Sequence, residues 1–297
     1  MRSAFGLALL LGLLAAASVA LGDPPSVGQT IPDFALRDFQ GASHTLSDHA
    51  ASKLVVVAFL GADCPLANRY ADRLVELARQ YGPRGVAFVA IDSNQQDGLA
   101  QLAHLARVHK IEFPLLKDPG NAVADRFDAQ RTPEVFVLDA RRVVRYRGRI
   151  DDQYGIGYAR PAASQKDLVA ALEELLAGKP VSRPVTAASG CLIGRVHHPK
   201  PQGDVTYAKQ VARILQQHCV SCHRAGAIAP FALTSYADAA GWAETIREVV
   251  RDRRMPPWDA SPDHGKFAND PSLSGAERQT IETWVANGAP EGDGKDS

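Results

Sequence analysis

Apolar residues in the first two thirds of the chain occur either in unbroken runs or at helical spacing. Three runs are apolar almost throughout: residues 54–60, 86–91 and 134–138. Runs of this length are typical of strands that are buried on both faces of a sheet. From Leu66 to Tyr81, by contrast, apolar residues recur at helical spacing, and this stripe predicts a helix that Gly82-Pro83 ends. The pattern therefore predicts a sheet with helices between its strands.

The remaining periodic segments extend the same architecture. They predict four further elements: a hairpin that turns at Gly41, a helix around residues 97–109, a fourth strand over 143–150 and a closing helix. In the closing helix, Ser164 with Asp167 is expected to cap the first turn, and Gly178 is expected to end the last. We therefore predict an α/β domain over residues 23–180.

The pattern changes beyond the α/β domain. Residues 181–204 are interpreted as a linker, because prolines near its start discourage regular structure. Two helices follow, one over residues 207–217 and one that starts with a capping box at Ser274 and Glu277. They are predicted to bracket a loop-rich middle. Residues 205–297 are thus expected to form a small all-α domain.

The N-terminal residues have the features of a secretory signal. Arg2 precedes an uncharged apolar stretch over residues 4–21, and the small residues Ala20 and Gly22 fit a cleavage site. Residues 1–22 are therefore expected to be a signal peptide, which predicts a periplasmic or otherwise exported protein. The alternative is an uncleaved membrane anchor, because the stretch approaches the ~18–20 residues of a spanning helix. Membrane association is expected only in that case.

The amino-acid composition of the chain excludes some classes of function. The chain of 297 residues has 33 Lys+Arg and 33 Asp+Glu, and this balance argues against nucleic acid as a partner. Hydrophobic residues make up 45%, which indicates a globular fold and not a mainly disordered chain. The 4 cysteines are too few for a disulfide scaffold, but they suffice for one or two redox or cofactor sites.

Two of the cysteines stand in Cys219-Val220-Ser221-Cys222-His223, the attachment signature of c-type haem. At this spacing Cys219 and Cys222 can form thioethers with the two vinyl groups while His223 ligates the iron. A zinc half-site would need a second Cys or His pair, and a thioredoxin dithiol would need a strand before it. A simple disulfide would leave His223 unexplained. We therefore expect one haem c, bound covalently through both cysteines.

The second axial ligand of the iron is expected to be Met255. It is one of 2 methionines and the other is the initiator, and the prolines that follow it stiffen its loop. Met/His ligation raises the haem potential and suits electron transfer. The alternative is that Met255 fills a gap in the core, the usual role of methionine. His264 is the leading substitute as ligand, ahead of His197, His198 and His218.

With these features, residues 205–290 resemble a small class I cytochrome c. The resemblance rests on an N-terminal helix, the haem motif, the Met255 loop and a C-terminal helix with Trp284. Four arginines lie close together before the methionine: Arg247, Arg251, Arg253 and Arg254. They are interpreted as a solvated helix face, or as a site for haem propionates or an acidic partner.

Cys64 directly follows the first apolar run and opens the first long helix, where unpaired backbone N–H groups favour a thiolate. The segment 59–65, the strand over 85–92 and Thr132-Pro133 before the third run resemble the thioredoxin-like superfamily. The closest likeness is to its redoxin branch, related to the AhpC/TSA peroxiredoxins and TlpA-type reductases. The resemblance covers about residues 25–180 and implies an α/β thioredoxin-like fold. It also implies that Pro133 is cis and packs beside Cys64.

Two positions depart from that family. Ala67 stands where a thioredoxin dithiol has its second cysteine, and Gly61 stands where a peroxiredoxin has threonine. Cys191 is the other cysteine left once the haem takes two, and some redoxins with a lone Cys-Pro carry a similar Gly-Cys-x-Ile downstream. Three interpretations of Cys64 and Cys191 stay open: a redox-active pair, a static disulfide, or two separate thiols.

Together these features predict an exported redox protein that couples thiol–disulfide chemistry at Cys64, resolved by Cys191, to electron transfer through the haem. Its expected partners are a redox protein and a disulfide or peroxide substrate. The alternatives are a haem-assisted one-cysteine peroxidase, which Gly61 argues against, and a non-catalytic electron carrier whose redoxin fold serves for docking. If Cys191 is the resolving thiol, the linker must run beside Cys64 and bring the helical domain towards that end of the sheet.

Overall fold

The computed structural model describes residues 27–200, 203–260 and 262–296. The predicted signal peptide, residues 1–22, lies outside the described residues. Within the described ranges, no helix combines the length and the apolar character needed to cross a membrane.

A seven-stranded sheet forms the centre of the N-terminal part. The strands in chain order are β1 (Ala35–Asp38), β2 (Ser43–Thr45), β3 (Leu54–Phe59), β4 (Val86–Asp92), β5 (Leu115–Lys117), β6 (Arg131–Thr132), β7 (Glu134–Asp139), β8 (Val144–Gly148), β9 (Tyr154–Gly155), β10 (Tyr158–Ala159) and β11 (Cys191–Leu192). The large sheet has the order β2-β1-β5-β4-β3-β7-β8. β3 pairs in parallel with β4 and antiparallel with β7, so the three apolar runs of the sequence lie side by side at its centre.

Helices cover both faces of this sheet, as the apolar runs predicted. They are α1 (Pro65–Tyr81), α2 (Leu99–His109), α3 (Ala122–Phe127) and α4 (Asp167–Leu176). Alternate residues of β3 point into two cores, Leu54, Val56 and Ala58 into one and Val55, Val57 and Phe59 into the other. The first core receives α1, α2 and α4, and the second receives α3. This two-sided burial explains why β3 lacks the polar alternation of a half-exposed strand.

Two details of the α/β part differ from the sequence prediction. The prediction missed β5 and α3, which are 3 and 6 residues long and too short to show a clear period. The predicted cap of α4 at Ser164 is wrong. Lys166 occupies the N-cap without a side-chain bond, because the Ser164 hydroxyl donates to the carboxylate of Asp152 instead.

The C-terminal part is helical. A π-type turn over Tyr207–Val211 leads into α5 (Ala212–His218), followed by α6 (Tyr236–Gly241), α7 (Ala243–Arg251) and α8 (Gly275–Ala286). The capping box of Ser274 and Glu277 at the start of α8 is present as predicted. The middle is rich in loops as expected, but it also holds α6 and α7, which the prediction missed. Charged residues dominate the exposed face of the short α7, and they obscure its apolar stripe in the sequence.

The helices pack around a core of their own, and this core meets the α/β part at β11. The helical core centres on the buried Trp242 and Trp284. β11 lies within the segment interpreted as a linker and pairs antiparallel with β6 of the α/β part. Thr245 of α7 donates from its hydroxyl to the carbonyl of Leu192 at 3.5 Å. The segment between the α/β part and the helical part therefore joins them through a strand, and the two parts are in contact.

Candidate functional site

Cys64 lies where β3 ends and α1 begins. It occupies the N-cap of α1 with an extended backbone, and Pro65 takes the first helical position, where its missing N–H costs nothing. The Cys64 side chain is fully buried. In its protonated form the thiol donates a hydrogen bond to the carbonyl oxygen of Thr132, 3.0 Å away. The helix terminus therefore holds a cysteine, as the sequence predicted, but it faces the interior.

β11 brings Cys191 to the same place. In its pairing with β6, Cys191 stands directly opposite Thr132, and its thiol lies within hydrogen-bonding reach of the Cys64 thiol. Both cysteines are free thiols, and Cys191 is partly exposed. The peptide bond between Thr132 and Pro133 is cis. The structure thus brings together Cys64, Cys191 and Pro133, the three residues that the sequence analysis selected for the thiol site.

The two thiols have pKa values shifted in opposite directions. Burial raises the pKa of Cys64, but hydrogen bonds from Cys191, from Thr132 and from the backbone of Ala67 outweigh it and lower this pKa to about 6. The Cys64 thiolate that results raises the pKa of Cys191 well above its ordinary value, and burial adds to this effect. The reduced pair therefore carries one thiolate, on the buried sulfur, at neutral pH.

This shift predicts how the midpoint potential of the pair depends on pH. Below pH 6 reduction takes up two protons, so the potential is expected to fall by about 60 mV per pH unit, since each proton contributes about 30 mV in a two-electron couple. Above pH 6 the Cys64 thiolate takes up none, and the slope is expected to halve to about 30 mV. Equilibration in glutathione buffers of stepped pH, followed by alkylation, measures the potential. A constant slope of about 60 mV from pH 5 to 8 would contradict this prediction.

Buried acidic residues support the loop before Cys64, and the sequence analysis missed them. The amide of Ala62 donates to a carboxylate oxygen of Asp97 at 2.8 Å, and the ammonium of Lys117 pairs with Asp92 at 2.8 Å. Burial and the neighbouring Asp97 raise the pKa of Asp92 well above its ordinary value, while Lys117 opposes the rise. The signal in the sequence was the abrupt change from the apolar β4 to the polar residues that follow it at the sheet edge.

The structure gives a reason for glycine at position 61, where a peroxiredoxin has threonine. A Cβ added to Gly61 would lie 2.3 Å from the side-chain nitrogen of Asn94 and 3.3 Å from the Cβ of Cys64. Contacts under 3.0 Å force a neighbour to move. Asn94 is itself fixed, because it accepts the amide of Gly194 at 2.9 Å and donates to Asp97. A threonine would displace this network, so the site is not arranged as a peroxiredoxin pocket.

An ion-pair chain connects the thiol site to the loop of Met255. Arg131 of β6 donates to the carbonyl of Gly190 at 2.7 Å and to the carboxylate of Glu248, on α7, at 2.8 Å. Glu248 also accepts from Arg254, next to Met255. Of the four arginines noted in the sequence, Arg247, Arg251 and Arg254 form ion pairs, with Glu244, Asp252 and Glu248 respectively.

Removing the charge of Glu248 is expected to loosen this connection. Glu248→Gln leaves two guanidinium groups with a weaker acceptor in a largely buried position, which should lower the free energy of unfolding by about 2 kcal/mol. Urea unfolding measures the loss. Glu244→Gln is the matched control, because Glu244 pairs with Arg247 on the same helix at a more exposed position, and it should cost less than about 1 kcal/mol. Equal losses in the two variants would contradict the connection.

The Cys-x-x-Cys-His segment forms a single turn after α5. The amides of Cys222 and His223 both donate to the carbonyl of Cys219, at 3.1 and 2.9 Å. The His223 ring bonds the carbonyl of Phe231 through Nδ1 at 3.1 Å, and since a carbonyl only accepts, Nδ1 carries the proton. Nε2 then has the free lone pair that iron ligation needs. The residues present therefore fit a c-type haem on the His223 side.

The structure gives less support to the other candidate axial ligands of the haem iron. Met255 is 40% exposed and lines a cavity of about 400 Å³ with Arg253 and Trp258, but His223 is not among the residues that line this cavity. Both ring nitrogens of His218 are engaged, with Pro271 and Glu277, and His197 bonds the carbonyl of Ala240.

Among the described residues no group of three or more His, Cys, Asp or Glu side chains could hold a metal ion. A c-type haem takes only one or two axial ligands from the protein, so it does not depend on such a group.

Comparison with known proteins identifies the N-terminal part. The AhpC/TSA family model matches residues 27–147. The chain is 30% identical over 114 residues to the thiol-disulfide oxidoreductase ResA of Geobacillus kaustophilus, a match that covers 38% of this chain and 64% of ResA. It is 27% identical over 132 residues to the thiol:disulfide interchange protein DsbE of Allochromatium vinosum, covering 43% of this chain and 71% of DsbE.

Two solved structures extend the comparison. The hypothetical protein SMc02350 from Sinorhizobium meliloti has a TM-score of 0.53 and 31% identity, over 57% of this chain and 94% of its own. An uncharacterized conserved protein from Geobacillus kaustophilus has a TM-score of 0.51 and 31% identity, over 62% of this chain and 100% of its own. Residues 27–147 therefore form a thioredoxin-like redoxin domain of the AhpC/TSA family. The segment matched by ResA spans just under two thirds of that relative.

Proposed function

We propose that the protein is an exported thiol–disulfide oxidoreductase whose redox pair is Cys64 and Cys191, and that residues 205–297 carry a c-type haem for electron transfer. The observation that carries the first part is the contact between two free thiols beside the cis Thr132-Pro133 bond. Oxidation would join the sulfurs in a disulfide, and reduction would restore one thiol and one thiolate. The names of the relatives ResA and DsbE support the same class of reaction.

The haem is supported by the residues that would hold it. Cys219 and Cys222 lie on one turn and would form the thioethers, while Nε2 of His223 would ligate the iron. Met255 would supply the second axial ligand, and Arg253, which lines the same cavity, would meet a propionate. When bound, the haem would transfer single electrons. Oxidation of the thiol pair releases two electrons, so coupling needs two sequential transfers and an electron donor or acceptor protein outside this chain.

The ion-pair chain supports coupling between the two parts. Arg131 contacts the carbonyl before Cys191, and Glu248 and Arg254 continue from there to the residue before Met255. Export and cleavage of residues 1–22 belong to the same proposal. An oxidising compartment allows the Cys64–Cys191 disulfide to form, and c-type haem is attached in the same kind of compartment. Membrane association follows only if that segment stays uncleaved.

Mass spectrometry of the full chain recovered from the periplasm of an expressing bacterium tests the proposal. The intact mass should show the loss of the signal and the gain of one haem, and the haem should stay with the protein in acid acetone. Alkylation before reduction should leave Cys64 and Cys191 unlabelled, and alkylation after reduction should label both. Haem that extracts completely would overturn the cytochrome part. Thiols that never join under an oxidising glutathione buffer would overturn the oxidoreductase part.

A further inference from the structure

We propose that Cys191, and not Cys64, is the sulfur at which a partner dithiol exchanges with the oxidised pair. This inference rests on the proposed function and assigns the order of its steps. In thioredoxin-type chemistry the cysteine at the helix N-terminus is the natural first candidate for the attacking sulfur, and the sequence analysis gave Cys64 that role. The arrangement of the two side chains favours the opposite order.

Access to the two sulfurs is unequal. Cys64 is 0% exposed and belongs to the core beneath α1, whereas Cys191 is partly exposed on β11. Thiol–disulfide exchange requires the incoming thiolate to approach along the S–S axis, from the side opposite the leaving sulfur. An incoming thiolate has no open approach to the sulfur of Cys64, because this side chain is fully buried and the carbonyl oxygen of Thr132 lies 3.0 Å from the sulfur. Attack on Cys191 comes from the β11 side.

The surroundings of Cys64 suit a leaving group. Backbone groups of Ala67 and Cys191 hydrogen-bond its sulfur and favour the thiolate. The Thr132 hydroxyl, buried beside it, has no other hydrogen-bond partner among the described residues. A disulfide breaks faster when the departing sulfur is the better stabilised thiolate. Departure of Cys64 therefore leaves the negative charge beside these donors.

A partner thiolate attacks the sulfur of Cys191, the Cys64–Cys191 bond breaks, and Cys64 leaves with the electron pair as a thiolate. The partner is now joined to Cys191 by a mixed disulfide. The second thiolate of the partner attacks the partner sulfur of that bond, which forms the partner's disulfide and releases Cys191, and Cys191 takes up a proton. The partner has lost two electrons and the pair has gained them.

The stabilised Cys64 thiolate also indicates the direction of the reaction. Donors that hold the thiolate stabilise the reduced pair, and a couple with a stabilised reduced form is a stronger oxidant. In the reverse direction the first nucleophile would be Cys191, whose proton the adjacent Cys64 thiolate holds in place. We therefore infer that the partner is a reduced dithiol and that the pair accepts its electrons.

Two variants of the full chain, each lacking one cysteine of the pair, test the order. Cys64→Ser and Cys191→Ser are each charged with thionitrobenzoate, and glutathione is then added while peptide masses follow the loss of the adduct from each cysteine. The leaving group and the nucleophile are identical in the two variants, so the rates compare access to the two sulfurs. We expect the adduct on Cys191 to be lost at least tenfold faster, or Cys64 to resist charging in the native state. Equal rates, or faster loss from Cys64, would overturn the order.

A measurement on the wild-type protein tests the same order of attack without a substitution, so its result does not depend on whether a variant folds. The oxidised protein is mixed with glutathione, quenched in acid within milliseconds and mapped by peptide mass. Glutathione on the Cys191 peptide supports the proposal, and glutathione on the Cys64 peptide overturns it. A pair that exchanges through Cys64 leaves the proposed function intact, whereas a pair that forms no disulfide at all overturns both.

Discussion

Replacing Gly190 with alanine is expected to slow closure of the Cys64–Cys191 disulfide by about a hundredfold, the usual effect of displacing reacting groups by about 1 Å. Gly190 has a φ of +149°, and a Cβ there would lie 2.0 Å from the carbonyl oxygen of Thr132. That carbonyl belongs to β6, the strand against which β11 is paired. The added methyl group therefore pushes β11 away from β6 and carries Cys191 with it. Stopped-flow oxidation with excess diamide, with intrinsic tryptophan fluorescence as readout, measures the rate.

Gly178→Ala is the matched control for this variant. Gly178 also has a positive φ, +71°, but nothing lies within 4 Å of the position its Cβ would take. Both substitutions place a side chain at a positive φ, while the collision with β6 is particular to Gly190. A control as slow as Gly190→Ala would mean that general destabilisation, and not the position of β11, limits closure.

Trp284→Ala is expected to destabilise the helical part by about 3–5 kcal/mol, the usual cost of removing a large buried aromatic side chain. Trp284 is fully buried, packs near Tyr207 and donates from its ring nitrogen to the carbonyl of Pro290 at 3.0 Å. The cavity left behind and the lost hydrogen bond from the ring nitrogen both add to the loss, although the Pro290 carbonyl still accepts from the amide of Tyr207. Urea unfolding followed by far-ultraviolet circular dichroism should show the helical part unfolding first, ahead of the redoxin domain.

Phe267→Ala provides the comparison for that loss. Phe267 is also in the helical part, but 45% of it is exposed and its described aromatic contact is with Trp258. Phe267→Ala should lower the free energy of unfolding by less than half as much as Trp284→Ala. A single unfolding transition that shifts equally in both variants would show that Trp284 does not anchor a separate helical core.

The sequence predicted the centre of the fold because burial there is uniform. β3, β4 and β7 are apolar along nearly their whole length, and this pattern predicted three buried strands of one sheet. Their order in the sheet was not predicted. Short elements gave no such signal. β5 is set by its pairing with β4 and β1, and α6 and α7 are set by packing on Trp242 and Trp284. These contacts form only in the folded chain, so the spacing of apolar residues along the sequence does not indicate them.

The thiol site was only partly predictable for a related reason. Cys64 stands where a clear strand ends and a clear helix begins, so the local pattern selected it, and the resemblance to the thioredoxin-like superfamily selected Pro133. The meeting of Cys191 with Cys64 depends on a two-residue strand, β11, and the sequence left three interpretations open. Arg131 and Glu248 form a pair across 117 positions, and nothing near either residue marks it. Pairings of this range become visible only in the folded chain.

β11 also determines the smallest piece of this protein that can carry out two-electron chemistry. A fragment ending at residue 180, the natural boundary by composition, would keep the sheet, α1 and Cys64 but would have a single cysteine. Cys191 packs against both the redoxin core and the helical core, and a Cβ added to Gly194 would lie 2.6 Å from the carbonyl oxygen of Gly241 in α6. The last strand of one module is therefore also the first contact of the next. Gene fusions or exchanges that join such modules must therefore cut after Leu192, beyond the compositional border, to carry an intact pair of sulfurs.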